Sequence, residues 1–138
     1  MNAKELMLGD FVTFKDCKND KEPVIIRIVQ LNENGDALVS IDGNNVLDEI
    51  EIDEEVVGIP LTPEILEKNG IIEERVEDIY AVFRHKDFTV TPDIDNNYKK
   101  CWMLYVGNID HDANICIYYV HQLQHALRLC GIEKEIII

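Results

Sequence analysis

The stretch Tyr119–Ile132, reading Y-V-H-Q-L-Q-H-A-L-R-L-C-G-I, limits the fold more than any other part of the chain. At about 100° per residue, Val120, Leu123, Ala126, Leu127 and Cys130 fall on one face, and His121, Gln124, His125 and Arg128 on the other. The spacing predicts an amphipathic helix over residues 119–130 with one packed side and one wet side. Gly131 stands where a left-handed cap residue belongs, and Ile132 after it can fold back on Leu127. Arg128 suits the negative end of the helix dipole. A helix with a single apolar face needs a surface to cover, and the rest of the chain supplies strands.

Residues 1–60 read as a series of short strands joined by tight turns. Leu6-Met7-Leu8 leads into a Gly9-Asp10 turn and a strand at Phe11-Val12-Thr13-Phe14. Pro23 opens a β-branched run from Val24 to Leu31. Asn34-Gly35 predicts a type I′ hairpin with positive φ at both central positions, and residues 36–41 return as its partner strand. After a second turn at Asp42-Gly43, residues 46–52 form a further strand. There Ile50 and Ile52 alternate with Glu49, Glu51 and Asp53, so one side faces a core and the other is acidic. A last strand, Val56-Val57-Gly58-Ile59, stops at Pro60. This pattern predicts a small SH3-like β-barrel over residues 1–60.

Residues 61–138 read as an α+β lobe. Thr62-Pro63-Glu64 starts a helix, with threonine as cap, proline at the first helical position and glutamate at the positive dipole end. Asn69-Gly70-Ile71 ends it as Cys130-Gly131-Ile132 ends the later one. A hairpin follows, residues 79–83 and 88–90 around His85-Lys86-Asp87, then a loop over 91–100, the apolar run 101–106 and a strand at 115–118. The fold class is therefore α+β: an N-terminal SH3-like barrel, a seam within residues 58–62, and a small antiparallel sheet covered by the C-terminal helix. The tail at 133–138 either adds an edge strand or lies against a partner.

With 13 Lys and Arg against 27 Asp and Glu, the net charge is -14. That balance disfavours direct binding to nucleic acid or to an anionic membrane surface and favours a basic protein partner. The opening residues lack a signal-peptide pattern and no stretch approaches membrane-spanning length, which predicts a cytoplasmic protein. The four cysteines, Cys17, Cys101, Cys116 and Cys130, include no C-x-x-C pair and read as reduced thiols, with Cys130 in the core.

Motifs for chemistry are incomplete. His121 and His125 share a helix face at metal-ligand spacing, yet Gln122 stands where H-E-x-x-H needs its glutamate, and Cys130 points away from the pair. They are metal candidates only, and no cofactor is predicted. Asp93-Ile94-Asp95-Asn96-Asn97 and Asp110-His111-Asp112-Ala113-Asn114 resemble calcium loops, but their sixth and twelfth positions are wrong: Tyr98 and Leu104 in one, Ile115 and His121 in the other. Both read as turns. Ser40, the sole serine, sits in a strand without a nucleophile-elbow motif. The carboxylates from Asp48 to Glu55 read as a solvated edge.

Three stretches, K-E-L-M-L-G-D-F-V, I-P-L-T-P-E-I-L-E-K-N-G-I and Y-V-H-Q-L-Q-H-A-L-R-L-C-G-I, occur in an order and spacing that resembles a family of small uncharacterised proteins from gut anaerobic bacteria, their phages and mobile elements. The resemblance implies a cytoplasmic accessory protein and carries no activity. Its relatives often have asparagine where this chain has His125, which implies that a histidine pair is not a family feature. The expectation is a non-catalytic protein-binding or adaptor module, with Glu49, Glu51, Asp53, His121, Gln124, His125 and Arg128 as the partner surface. Two alternatives stand beside it: a metal-dependent or cysteine enzyme using His121 and His125, and an acidic mimic that blocks a nucleic-acid-binding protein.

Overall fold

The computed structural model describes residues 5–15, 24–43, 47–52, 56–76, 80–106 and 115–138, with the backbone alone at Tyr80. The expectations for Cys17, Asp53, the ends of two strands at Val46 and Ile79, and the second acidic cluster at 110–114 lie outside these residues. The architecture is α+β, with two antiparallel sheets and a short C-terminal helix. The chain divides into two compact units, Met1–Ile59 and Pro60–Ile138.

The first unit holds β1 (Phe11–Phe14), β2 (Ile26–Leu31), β3 (Asp36–Ile41), β4 (Leu47–Glu51) and β5 (Val56–Gly58) in the order β4-β3-β2-β1-β5. Every neighbouring pair is antiparallel. Alternation decides the inward face: Ile26 and Ile28 are buried while Arg27 between them is exposed. Val12, Ala37, Val39, Ile50, Ile52 and Val56 join them in one cluster. Glu49 and Glu51 are exposed beside buried Ile50, so β4 has the acidic side its sequence predicts. Val29 points outward by the same alternation, and Gln30, at a register shift between Ile28 and Gln30, is exposed as well. The β2–β3 hairpin differs from expectation in its turn. Only Gly35 takes positive φ, at 95°, while Gly35 N–H donates to Asn32 O (3.2 Å) and Asn32 N–H to Asp36 O (2.9 Å). This is a three-residue loop with a left-handed last residue in place of a type I′ turn.

The second unit begins with α1 (Pro63–Lys68), capped as its sequence predicts by Thr62 Oγ1, which accepts from Ile65 N–H at 3.4 Å. The sheet contains β6 (Ile72–Val76), β7 (Tyr80–Arg84), β8 (Phe88–Ile94), β9 (Lys100–Val106) and β10 (Ile115–Ile117) in the order β10-β9-β8-β7-β6. Helix α2 (Val120–Leu129) follows. Both helices close with the predicted double bond: Ile71 N–H to Leu66 O (3.0 Å) with Gly70 N–H to Glu67 O (2.9 Å), and Ile132 N–H to Leu127 O (2.9 Å) with Gly131 N–H to Arg128 O (3.0 Å). Gly70 and Gly131 sit at φ 72° and 71°, in the left-handed region that only glycine enters freely.

Four expectations need correction. β6 was not predicted, because its side chains from Ile72 to Arg75 are exposed on both faces and show no burial pattern. The loop expected over 91–100 is a strand for much of its length, with Pro92 inside β8. Cys130 is the exposed C-cap of α2 and not a core residue. The tail does not extend as a free edge either. Ile136 is buried, and the Asn69 side chain grips Ile137 by both backbone groups, Nδ2 donating to Ile137 O (2.7 Å) and Oδ1 accepting from Ile137 N–H (2.8 Å).

No helix among the described residues is long and apolar enough to cross a membrane. Asn69 is buried and also donates to Ile65 O at 2.8 Å, so its removal orphans several polar groups at once. Asn69→Ala is expected to cost about 1–3 kcal/mol in denaturant unfolding and to open the chain to trypsin at Lys134.

Candidate functional site

The residues expected to form a partner surface are divided between the two units, Glu49 and Glu51 in the first and His121, Gln124, His125 and Arg128 in the second. Glu49 and Glu51 are exposed on β4, and Asp53 is outside the described residues. On α2 the expected wet side is largely covered: His121 is 2% exposed and Gln124 4%, His125 is half-buried, and only Arg128 is exposed. Val120, His121, Leu123, Gln124, Ala126 and Leu127 are all buried, which takes in well over half of the helix circumference. The reason is local stacking. His121 lies parallel to Tyr119 (centroids 5.7 Å apart, planes at 8°) and meets His125 edge-on at 5.7 Å. Imidazoles that find ring neighbours are covered as readily as apolar residues. Among the described residues no three His, Cys, Asp or Glu side chains converge as a metal site would require.

The structure brings together a different set. In the second unit a cleft of about 680 Å³ is lined by Pro60, Leu61, Pro92, Asp93, Ile94, Lys99, Lys100, Cys101, Trp102, Tyr118 and Tyr119. Its construction follows from strand register. Pro92 faces Trp102 and Ile94 faces Lys100 across β8 and β9, so alternation places these four on one face. The chain leaves β10 at Tyr118 and Tyr119, and Pro60 forms an isolated bridge to Tyr119. Leu61 N–H donates to Tyr118 O at 3.0 Å. The Trp102 indole N–H donates to Leu61 O at 2.8 Å, and its ring meets Phe83 edge-to-face at 5.4 Å.

Several polar atoms at this wall are committed within the protein. Tyr118 O–H donates to Asp95 Oδ2. Asp95 Oδ1 also accepts from Asn97 N–H (2.8 Å) and Lys99 N–H (2.9 Å), and Lys99 Nζ lies 4.6 Å from the Tyr118 ring centre. The Tyr118 phenol, followed by the Lys99 amide, holds the Asp95 carboxyl below the ordinary 3.8. The same carboxylate, and next the Cys116 thiol, hold the Tyr118 phenol above its ordinary 10.0. Burial first, then the neighbouring Cys116 thiol, push the Cys101 thiol up to about 12. At neutral pH it stays protonated, a form that neither attacks nor ligates well.

The acidic cluster around Asp95 is thus a turn, as its residue types predict, and its details expose a feature that sequence reading missed. Tyr98 N–H donates to Asp95 O (3.0 Å) and Asp95 N–H to Lys99 O (2.9 Å), the same pair of bonds that closes the β2–β3 hairpin. Where that hairpin has Gly35, this one has Tyr98, at φ 60° and 91% exposed. A side chain in this region costs about 1–2 kcal/mol. Nothing in the fold requires tyrosine there, since its ring is in solvent. Ile94 near it is 58% exposed. The neighbouring hairpin tip therefore carries exposed apolar groups beside a wall whose indole and phenol donors are already used. The signal available in the sequence was the aromatic content of Trp102 and Tyr118-Tyr119 alone.

No family model, curated protein or solved structure matches the chain.

Tyr98→Gly is expected to raise stability by about 1 kcal/mol, read as a higher denaturant midpoint at unchanged slope. The Tyr118–Asp95 bond has a defined pH window. The depressed Asp95 value means its stabilisation is present above pH 3.8 and lost as pH falls below it; the raised Tyr118 value means its stabilisation is present below pH 10.0 and lost as pH rises through the folded value. In an absorbance titration of the tyrosines, Tyr118 is expected to ionise above the ordinary tyrosine value of 10.0, and Asp95→Asn to bring it earlier.

Proposed function

We propose that the chain is a non-catalytic module that binds a protein partner, taking an apolar side chain from a basic segment of that partner against the cleft of the second unit. The observation that carries this reading is the contrast at the cleft. Its indole and phenol donors, Trp102 Nε1 and Tyr118 O–H, are spent on Leu61 O and the adjacent Asp95 carboxylate, while Ile94 and Tyr98 stand exposed beside it. Such a surface gains by burying apolar area and has little to offer a reacting group. The unfavourable backbone at Tyr98 agrees with a residue retained for contact, because local strain persists where function uses it. The net charge of -14 favours a basic partner and speeds the encounter with it.

Within this reading the first unit is an SH3-like barrel. Support comes from the order β4-β3-β2-β1-β5, in which a four-strand meander is followed by a short strand returning to β1. The resemblance in sequence supports a cytoplasmic accessory protein of phage or mobile-element type. The exposed acidic row Asp48, Glu49 and Glu51 on β4 favours a second reading, a mimic of polyphosphate that occupies a basic groove of a nucleic-acid-binding protein. The two differ in salt dependence: groove mimicry weakens steeply with ionic strength, whereas apolar capture persists.

The test is affinity capture from host lysate after nuclease treatment, comparing the native chain with Tyr98→Gly and Ile94→Asp. A basic protein retained by the native chain and lost roughly tenfold or more by both variants, with the Tyr98→Gly chain at least as stable as native, is the expected result. Equal capture by all three, or capture abolished by salt alone, counts against the cleft.

A further inference from the structure

The outer edge of β6 combines three properties that the fold itself does not use. Among the described residues no strand pairs with it, since β6 ends the sheet order and bonds only to β7. Its side chains from Ile72 to Arg75 are exposed, Ile72 at 60%. Neither Glu73 nor Arg75 has an ion pair or side-chain hydrogen bond among the described residues, in a chain where carboxylates outnumber basic groups 27 to 13.

The sequence of this strand, Ile72-Glu73-Glu74-Arg75-Val76, is complementary to itself when reversed about Glu74. We propose that β6 pairs antiparallel with β6 of a second copy, on a two-fold axis through Glu74, joining the two second-unit sheets edge to edge. In that register Glu73 of each copy lies opposite Arg75 of the other, which forms two cross-strand ion pairs on one face. On the other face Ile72 lies opposite Val76 twice. Glu74 meets its own counterpart on the axis, and each Glu74 is already held by Arg84 Nε at 2.6 Å. Axes centred one residue away fail: one sets Glu73 against Glu73, the other Arg75 against Arg75. Only the register centred on Glu74 forms cross-strand ion pairs, and its own like-charge pair of Glu74 residues is offset by the two Arg84 side chains. The β4 edge of the first unit shows the contrast, because Asp48, Glu49 and Glu51 all carry the same sign and repel a second copy.

The interface is short, so association is concentration-dependent and weak by the standard of obligate dimers. Sedimentation equilibrium of the full chain across a concentration series is expected to show a monomer–dimer equilibrium. Glu73→Arg and Arg75→Glu each convert both ion pairs into like-charge pairs and are expected to weaken dimerisation roughly tenfold or more. The double variant E73R/R75E restores opposite charges across the axis and is expected to recover it. Amide exchange in β6 of the native chain slows as protein concentration rises. Thermal melts of the variants verify folding, which these exposed positions do not control. A native chain that stays monomeric throughout, single variants that dimerise like the native chain, or a folded double variant that does not recover would each overturn the proposal.

Discussion

The second unit depends on how Leu61 is held. Leu61 is buried, and a buried residue must satisfy both of its backbone polar groups. Its N–H goes to Tyr118 O and its carbonyl to the Trp102 indole. Those two bonds set the rest in order. They bring Pro60 alongside Tyr119, place Thr62 where it can start α1, and fix the Trp102 ring as a wall by using up its only donor. The start of α2 is tied to the same place, because Gln122 Oε1 accepts from the N–H groups of Tyr118 (2.8 Å) and Tyr119 (3.2 Å). An apolar cleft beside the strand ends is a by-product of solving a backbone hydrogen-bond problem.

What the sequence made legible were features governed by one or two residues in a row. Gly70 and Gly131 announce the helix ends because left-handed φ is cheap only for glycine. Thr62 announces a helix start because an unpaired N–H must find an acceptor. Ile50 and Ile52 announce a face because alternation on a half-buried strand has period two. The misread parts involve neighbours distant in sequence. Strand β6 carries no pattern because an edge strand with both faces exposed has none to carry. Pro92 looks like a loop residue until β9 aligns beside it. His121 sits on the polar side of a helical wheel, but the wheel does not include the ring of Tyr119 that stacks on it. The cleft was invisible for the same reason: Pro60, Ile94, Trp102 and Tyr119 are separated by up to about half the chain, and only strand register joins them.

The two hairpins provide a comparison inside one molecule. Residues 32–36 and 95–99 close with the same pair of backbone bonds, and both begin with a residue whose side chain suits a turn, Asn32 or Asp95. In the second, Asp95 does more, since its carboxylate also binds the amides of Asn97 and Lys99 and the Tyr118 phenol. That extra bonding lets the loop hold a residue with a Cβ at the left-handed position. Rigidity gained at Asp95 offsets conformational cost at Tyr98.

Asp95 and Tyr98 are therefore not equally free to vary. A lineage that loses the use for an aromatic group at this tip gains from replacing Tyr98 by glycine or asparagine, which enter left-handed φ more easily. Asp95 is still held to its place by the Tyr118 phenol, so the change is confined to position 98. Position 98 is thus the place at this tip where the backbone itself favours a replacement.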